Sequence, residues 1–143
     1  MNPETTPTLA TDPALLGVLN ELISREPIFH RPEWSTTRAH FENITTADFW
    51  EVGASGRRYA EKMCWPNWRD VNKSDRRPVG SRSLSLSRPG QRYYLLTYTL
   101  LQHSERKTRR STIWQRTPDG WKIVFHQALW FRIHDVGCPI LRF

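Results

Sequence analysis

The chain has 143 residues, which is a typical length for one domain with a single hydrophobic core. Hydrophobic residues make up 38% and aromatic residues 12%, too many for a disordered chain, and no apolar run approaches the roughly 20 residues that cross a bilayer. The net charge of +7 raises the question of nucleic-acid binding, but the basic residues are dispersed and no recognition signature is present. We therefore interpret them as a solvated basic rim, and we expect neither a membrane nor a nucleic-acid partner.

The cysteines and the first residues bear on the cellular compartment and on metal binding. Cys64 and Cys138 lie far apart and lack the spacing of zinc ligands. Residues 1–12 are polar and contain neither the basic nor the apolar region of a signal peptide. We expect a cytoplasmic protein with reduced thiols, a flexible lead-in at 1–12, and no metal or cofactor.

Two helices are predicted in the first third of the chain. Asp12 followed by Pro13 is typical of an N-cap with proline at the first helical position. Apolar residues then recur at three- and four-residue spacing and form one stripe on a helix: Leu15, Leu16, Leu19, Leu22 and Ile23. This helix is expected to stop before Pro27, and a second, short helix is expected to end at about Asn43.

A hairpin is predicted near the middle of the chain. The aromatic and β-branched residues at 49–53 are followed by turn residues at 54–56 and by a return strand at 57–60. Beyond the hairpin we expect a short, proline-broken helix at 61–68 and an exposed, charged loop at 70–80.

The rest of the chain predicts strands joined by tight turns. Residues 81–87 alternate in character before a Pro-Gly turn, and long strands are expected at 91–103, 109–116 and 121–131. Helices followed by hairpin-linked strands indicate an α+β domain at 13–131, with helices packed on an antiparallel sheet. An apolar tail at 132–143 follows it.

Three stretches of sequence carry a family resemblance: EPIFHRPEW at 26–34, FWEVGASGRRY at 49–59 and RRSTIWQRTPDGWKIVFHQ at 109–127. They resemble the nuclear transport factor two-like superfamily (SnoaL-like or polyketide-cyclase-like), in its bacterial branch of uncharacterised function. The resemblance implies a cone-shaped fold, in which helices close one side of a strongly curved antiparallel sheet and the mouth opens into an apolar pocket. It also implies a homodimer formed through the outer face of the sheet.

Strand alternation places Arg110, Thr112 and Trp114 on one face, and the inward Arg-x-Trp pattern of the superfamily favours this face as the pocket lining. His126 is a candidate catalytic acid or base, because histidine ordinarily titrates near neutral pH. Glu51 is a candidate base, because an apolar cone would raise the pKa of its carboxyl group.

Two tyrosines complete the predicted site. Tyr59 and Tyr98 are candidate hydrogen-bond donors to an enolate, as tyrosine is in the isomerase relatives. Each candidate also has a structural interpretation: His126 as a core or interface histidine, Glu51 as an exposed or ion-paired strand charge, and the tyrosines as aromatic strand packing. These alternatives stay open at the level of sequence.

The sequence predicts a class of function without naming a reaction. We expect a pocket for a small apolar or aromatic ligand. The alternative is a non-catalytic dimeric protein-interaction module, which the seven tryptophans and the apolar tail motivate. Steroid isomerase activity is disfavoured, because the last strands offer no acidic residue at the place of that enzyme's acidic partner.

Overall fold

The computed structural model describes residues 9–26, 38–60, 80–102 and 106–131. Four predicted features lie wholly or mostly outside these ranges: the lead-in at 1–12, the helix at 61–68, the loop at 70–80 and the tail at 132–143.

Within the described ranges, two helices follow a 3-10 turn at Pro13–Leu15. They are α1, Leu16–Ile23, and α2, Arg38–Ile44. The carboxylate of Asp12 accepts a hydrogen bond from the backbone N–H of Ala14 at 2.9 Å, so the predicted cap is confirmed. The predicted apolar stripe holds at Leu19 and Leu22, which are buried in the core, but not at Leu16, which is 48% exposed. The helix α1 ends before Pro27 as expected.

Six strands in the described part of the chain form one sheet, and their order across it is β2-β1-β6-β5-β4-β3. Their bounds are β1 Thr45–Val52, β2 Arg58–Ala60, β3 Gly80–Ser87, β4 Tyr93–Gln102, β5 Arg106–Thr117 and β6 Gly120–Phe131. Neighbouring strands are antiparallel except β1 and β6, which are parallel. The expected antiparallel sheet therefore holds with one exception. The chain passes through β2, β3, β4 and β5 between β1 and β6, and a long connection of this kind allows two strands to pair in parallel, whereas a hairpin does not.

The strand registers define two faces of the sheet. One row of paired residues runs across the face that helices cover: Tyr59, Glu51, His126, Thr112, Leu96 and Leu86. The adjacent row runs across the opposite face: Ala60, Trp50, Phe125, Ile113, Leu95 and Ser87. We call these the inner and the outer face.

The core lies between the helices and the inner face. Leu22 of α1 and Phe41 of α2 are fully buried with Leu96, Leu100 and Trp114 of the sheet. The register of β5 and β6 shifts between Ile113 and Trp114, and such a bulge increases the local twist and bend of a sheet. The bend gives the inner face its concave side.

Two strands are longer than the sequence predicts. β1 begins at Thr45 and not at Phe49, because Thr45 already pairs with Ile123 of β6. β5 begins at Arg106 and not at Arg109, because its basic residues pair along β4. Charged side chains do not prevent strand pairing when they are exposed to solvent. A prediction based on composition therefore places the start of both strands too late in the chain.

Candidate functional site

Glu26 brings a carboxylate into the interior at the end of α1. The chain makes one further turn after the helix, and the Glu26 N–H donates to the carbonyl oxygen of Leu22 at 2.8 Å. The residue is only 2% exposed. A buried carboxylate is unfavourable unless donors surround it, so its neighbours decide what the site is.

Three side chains from the inner face donate hydrogen bonds to this carboxylate. The hydroxyl groups of Tyr98 and Thr112 donate to Oε1 at 2.9 and 2.8 Å. The indole N–H of Trp114 donates to Oε2 at 3.1 Å. All three donors are themselves buried, so a polar cluster stands inside an otherwise apolar core.

His126 and Arg110 extend the cluster toward β6. The Nδ1 atom of His126 lies 2.8 Å from Oγ1 of Thr112 and 3.8 Å from Oε1 of Glu26. Nη1 of Arg110 lies 3.3 Å from Nε2 of the same imidazole, and its Nε donates to Oγ1 of Thr108 at 3.1 Å. The guanidinium, the imidazole, the threonine hydroxyl and the carboxylate thus form one continuous chain of contacts.

The protonation of these groups is shifted by burial. Burial raises the pKa of Glu26 above its ordinary value, although the three donors and the nearby guanidinium of Arg110 oppose this. Burial and the charge of Arg110 lower the pKa of His126 to about 3. His126 is therefore neutral at pH 7 and does not titrate near neutrality, which differs from the expectation drawn from its residue type.

Tyr98 stays protonated for a related reason. Burial, followed by the charge of Glu26, raises the pKa of its phenol well above the ordinary value. The hydroxyl is therefore a permanent hydrogen-bond donor in this environment.

The structure brings most of the predicted site residues together on one face. The Cα register pairs Arg110 with Tyr98 and Thr112 with His126, so the inward direction expected for the Arg-x-Trp pattern agrees with the burial of Trp114. Tyr98, Thr112 and Trp114 point their polar atoms at Glu26, which makes them organisers of the carboxylate.

Glu51 and Tyr59 occupy the far end of the same row. Glu51 pairs with His126 across β1 and β6, and Tyr59 pairs with Glu51 across the hairpin. Both side chains are half-buried. The guanidinium carbon of Arg57 lies 5.5 Å from the ring centre of Tyr59, a cation–π contact at the rim.

Glu26 is the central residue of the cluster and was not among the predicted site residues. Its signal is present in the sequence, because Glu26 follows Leu19 and Leu22 at helical spacing and continues their apolar stripe. A carboxylate on the buried stripe of a helix must find donors in the core, and that requirement marks a site.

Other features of the described residues do not add to this site. An open groove of about 540 Å³ is lined by Glu42, Thr45, Thr46, Ala47 and Lys122, which are not among the cluster residues. Within the described ranges, no group of histidine, cysteine and acidic residues is arranged to hold a metal ion. None of the helices described has the length and hydropathy needed to cross a membrane.

Comparison with solved structures finds bacterial proteins with the same architecture. A protein with a cystatin-like fold from Caulobacter vibrioides superposes with a TM-score of 0.63 at 13% identity, covering 89% of this chain and 100% of its own. A protein of unknown function from Pectobacterium atrosepticum gives 0.62 at 16% identity, with coverages of 85% and 94%. An NTF2-like protein of unknown function in nutrient uptake from Rhodospirillum rubrum gives 0.59 at 13%, with coverages of 82% and 98%.

These likenesses concern the fold. Comparison with protein-family models and with curated protein sequences gives no match. The structural neighbours nevertheless share the arrangement of helices and curved sheet derived above, and they are of bacterial origin. The chain has the nuclear transport factor two-like fold, which is also called cystatin-like, and this is the fold that the sequence resemblance implies.

Proposed function

We propose that the inner face of the sheet is a small-molecule site, organised by Glu26, that acts on an apolar or aromatic ligand. The single observation that carries this proposal is the buried carboxylate with its three side-chain donors and the adjoining histidine and arginine. A core built only for stability gains little from such a cluster, since apolar residues of similar volume serve as well or better. Polar groups of this kind inside an apolar concavity are typical of ligand sites.

The residues of the cluster differ in how a ligand would meet them. Glu26 and Thr112 are 2% and 0% exposed, so they lie behind the surface of the cluster. The side chain of His126 is 15% exposed and Arg110 is half-buried, so these two residues are the ones a ligand contacts. We assign His126 and Glu51 as the candidate catalytic residues, with Tyr59 and Arg110 as further ligand contacts and Tyr98, Thr112 and Trp114 as their support.

Binding is tested with 2-tetralone, an apolar aromatic ketone, followed by NMR of the tryptophan indole N–H groups. Trp114 lies in the cluster and Trp50 lies on the outer face, so the two indoles report on the two sides of one sheet. We expect saturable shifts at Trp114 and at the His126 imidazole, with Trp50 unchanged. Shifts confined to Trp50, or none at any concentration, would contradict the proposal.

Alanine variants then test the assigned residues. His126→Ala and Glu51→Ala are expected to weaken ligand binding or turnover, because both change the row that faces the ligand. Gln127→Ala is the matched control, since Gln127 follows His126 on β6 and points to the outer face. Equal behaviour of all three variants would remove the site assignment.

A second function is favoured by the outer face. Trp50 and Leu129 are 43% and 55% exposed there, and the Trp50 ring packs on Phe125 with centroids 4.7 Å apart. Exposed aromatic and apolar residues on a sheet face are typical of protein–protein contacts. We propose that this face pairs with a second copy of the chain, and such a homodimer is compatible with a ligand site on the opposite face.

A further inference from the structure

We propose that one end of the inner face, beside the turn between β5 and β6, binds a doubly charged phosphate group between Arg88, Arg92 and Arg116. We call these three residues the arginine site. None of them belongs to the cluster around Glu26, so the inference goes beyond the proposed small-molecule function and does not depend on it.

The strand registers bring the three arginines together. Continued by one residue, the pairing of β4 with β5 places Arg92 directly opposite Arg116, and the Arg116 N–H donates to the Arg92 carbonyl oxygen at 2.8 Å. Continued in the same way, the pairing of β3 with β4 places Arg88 beside Tyr94, and alternation directs all of these side chains to the inner face. Like charges directly opposite each other destabilise a strand pair, so an anion bound between them stabilises the protein.

Two buried aromatic rings hold two of the guanidinium groups in place. Cζ of Arg116 lies 4.5 Å from the ring centre of Trp121 and 5.9 Å from that of Tyr94. Cζ of Arg88 lies 5.5 Å from the same tyrosine ring, and its Nη2 donates to the carbonyl oxygen of Gln91 at 2.6 Å. Tyr94 and Trp121 are 4% and 7% exposed, whereas the Arg116 side chain is 52% exposed. Guanidinium groups that are held in place and reached by solvent lose little conformational entropy when they bind a ligand.

The carboxylates near the arginine site leave it positively charged. Oε1 of Glu21 accepts the indole N–H of Trp121 at 2.9 Å and lies 3.7 Å from Nη2 of Arg25. Its Oε2 lies 3.9 Å from Nη2 of Arg116, too far for a hydrogen bond. In the described part of the chain, the arginine site and Arg25 face Glu21 and Asp119 of the β5–β6 turn, four positive charges against two negative ones. A phosphate monoester carries about two negative charges at neutral pH, which matches this excess.

The charge and the shape of the arginine site select the kind of anion. A carboxylate, or the phosphodiester of a nucleic acid, has one charge and two free oxygens and is satisfied by one guanidinium fork. A phosphate monoester or inorganic phosphate has two charges and at least three free oxygens, so each arginine of the site can donate to a different oxygen. The ligand is therefore the terminal phosphate of a small molecule or the free ion, and not a nucleic-acid backbone.

Binding is tested by titrating the protein with phenyl phosphate and with inorganic phosphate at constant ionic strength, followed by NMR of the indole N–H and arginine Nε–H groups. We expect saturable shifts at Arg88, Arg116 and Trp121, with the indole of Trp50 on the outer face unchanged. Dimethyl phosphate, which has one charge, should bind at least about tenfold more weakly. Saturation by both phosphates identifies an ester as a ligand, and saturation by inorganic phosphate alone identifies the free ion. Absence of saturation by either, or equal affinity for dimethyl phosphate, overturns the proposal.

Arginine variants then test the assigned residues. Arg88→Gln and Arg116→Gln are each expected to weaken phosphate binding at least about tenfold, because each removes a charge-assisted hydrogen bond. Arg116→Lys should weaken it as well, because lysine keeps the charge but lacks the planar fork. Arg57→Gln is the matched control, since it removes one positive charge and one cation–π contact, with Tyr59, at the opposite edge of the sheet. If the control weakened binding as much as the other variants, phosphate would be responding to net charge alone and the site would be refuted.

Arg92→Gln separates a ligand site from a purely structural role of the arginines. Because Arg92 stands opposite Arg116, removal of its charge is expected to raise the free energy of unfolding without phosphate and, at the same time, to weaken phosphate binding. Urea unfolding with and without inorganic phosphate measures both effects, and phosphate should stabilise the wild type more than the variant. A less stable variant, or one that binds phosphate as tightly as the wild type, overturns the proposal.

Discussion

At the scale of single residues, the hydroxyl group of Tyr98 is predicted to stabilise the fold through Glu26. It donates to the carboxylate at 2.9 Å from a buried position, so Tyr98→Phe leaves Glu26 with fewer donors. Hydrogen bonds to charged groups contribute about 1.5–3 kcal/mol, and we expect a loss of that size in urea unfolding. Tyr93→Phe is the control on the same strand: its ring is 41% exposed and its hydroxyl accepts from Gln115 at 3.3 Å. Equal losses in the two variants would contradict the role assigned to Glu26.

His126 gives the molecule a predicted dependence of stability on pH. Its pKa is about 3 in the folded protein against 6.5 for the ordinary imidazole. Between these two pH values the unfolded chain binds a proton at His126 and the folded protein does not. Stability is then complete above pH 6.5 and falls as the pH is lowered toward 3. Lowering the pH from 7.5 to 5 should cost about 2 kcal/mol through this residue.

The measurement compares urea unfolding of the wild type and His126→Gln at both pH values. The raised pKa of Glu26 acts in the opposite direction, since its stability contribution decreases as the pH rises above 4.5, but it is common to both proteins. The difference between the two proteins therefore isolates His126. Parallel pH profiles would show that the imidazole accepts a proton within the fold.

The sequence predicted only those parts of the site that follow from the spacing of residues along one strand or helix. Alternation along β5 placed Arg110, Thr112 and Trp114 on one face, and the strand register bears this out. Glu26 was missed because it lies 72 residues from Tyr98 and 86 from Thr112 along the chain. No local sequence pattern contains such a contact. The one local signal is that Glu26, a charged residue, stands at a position that continues the apolar stripe of α1.

At the scale of elements, the turn between β5 and β6 is predicted to depend on Gly120. Its φ of +113° lies in a region that side chains strain to adopt, although nothing crowds the position of a Cβ atom. We expect Gly120→Ala to lower the unfolding free energy by about 1–3 kcal/mol through backbone strain alone. Gly17→Ala, within α1 and equally uncrowded, should instead raise it by up to about 1 kcal/mol. Thermal unfolding of both variants tests this difference in sign.

The sequence predicted those features of the helices and turns that depend on neighbouring residues. It did not predict the ends of strands, because these depend on pairing with distant residues. The Asp12 cap, the end of α1 before Pro27 and the turn that contains Gly120 follow from neighbouring residues. The start of β1 at Thr45 depends on Ile123, and the parallel pairing of β1 with β6 depends on the path of the whole chain. Contacts between residues so far apart in the chain leave no recognisable pattern in the sequence around either residue.

At the scale of the whole molecule, the proposed ligand site lies on the inner face of the sheet and the proposed dimer contact on the outer face. The dimer contact can be tested by substitutions on the outer face. A stable interface buries about 800 Å² on each partner, and a charge buried unpaired at its centre is strongly unfavourable. Trp50→Lys and Leu129→Lys each place a lysine on the exposed apolar part of this face. In a two-fold dimer each lysine enters the interface twice, so both variants should sediment as monomers where the wild type sediments as a dimer.

Leu16→Lys is the control for that experiment, because Leu16 is 48% exposed on α1, away from the outer face. It should leave the sedimentation of the protein unchanged. A monomeric wild type, or variants that still sediment as dimers, would contradict pairing through the outer face.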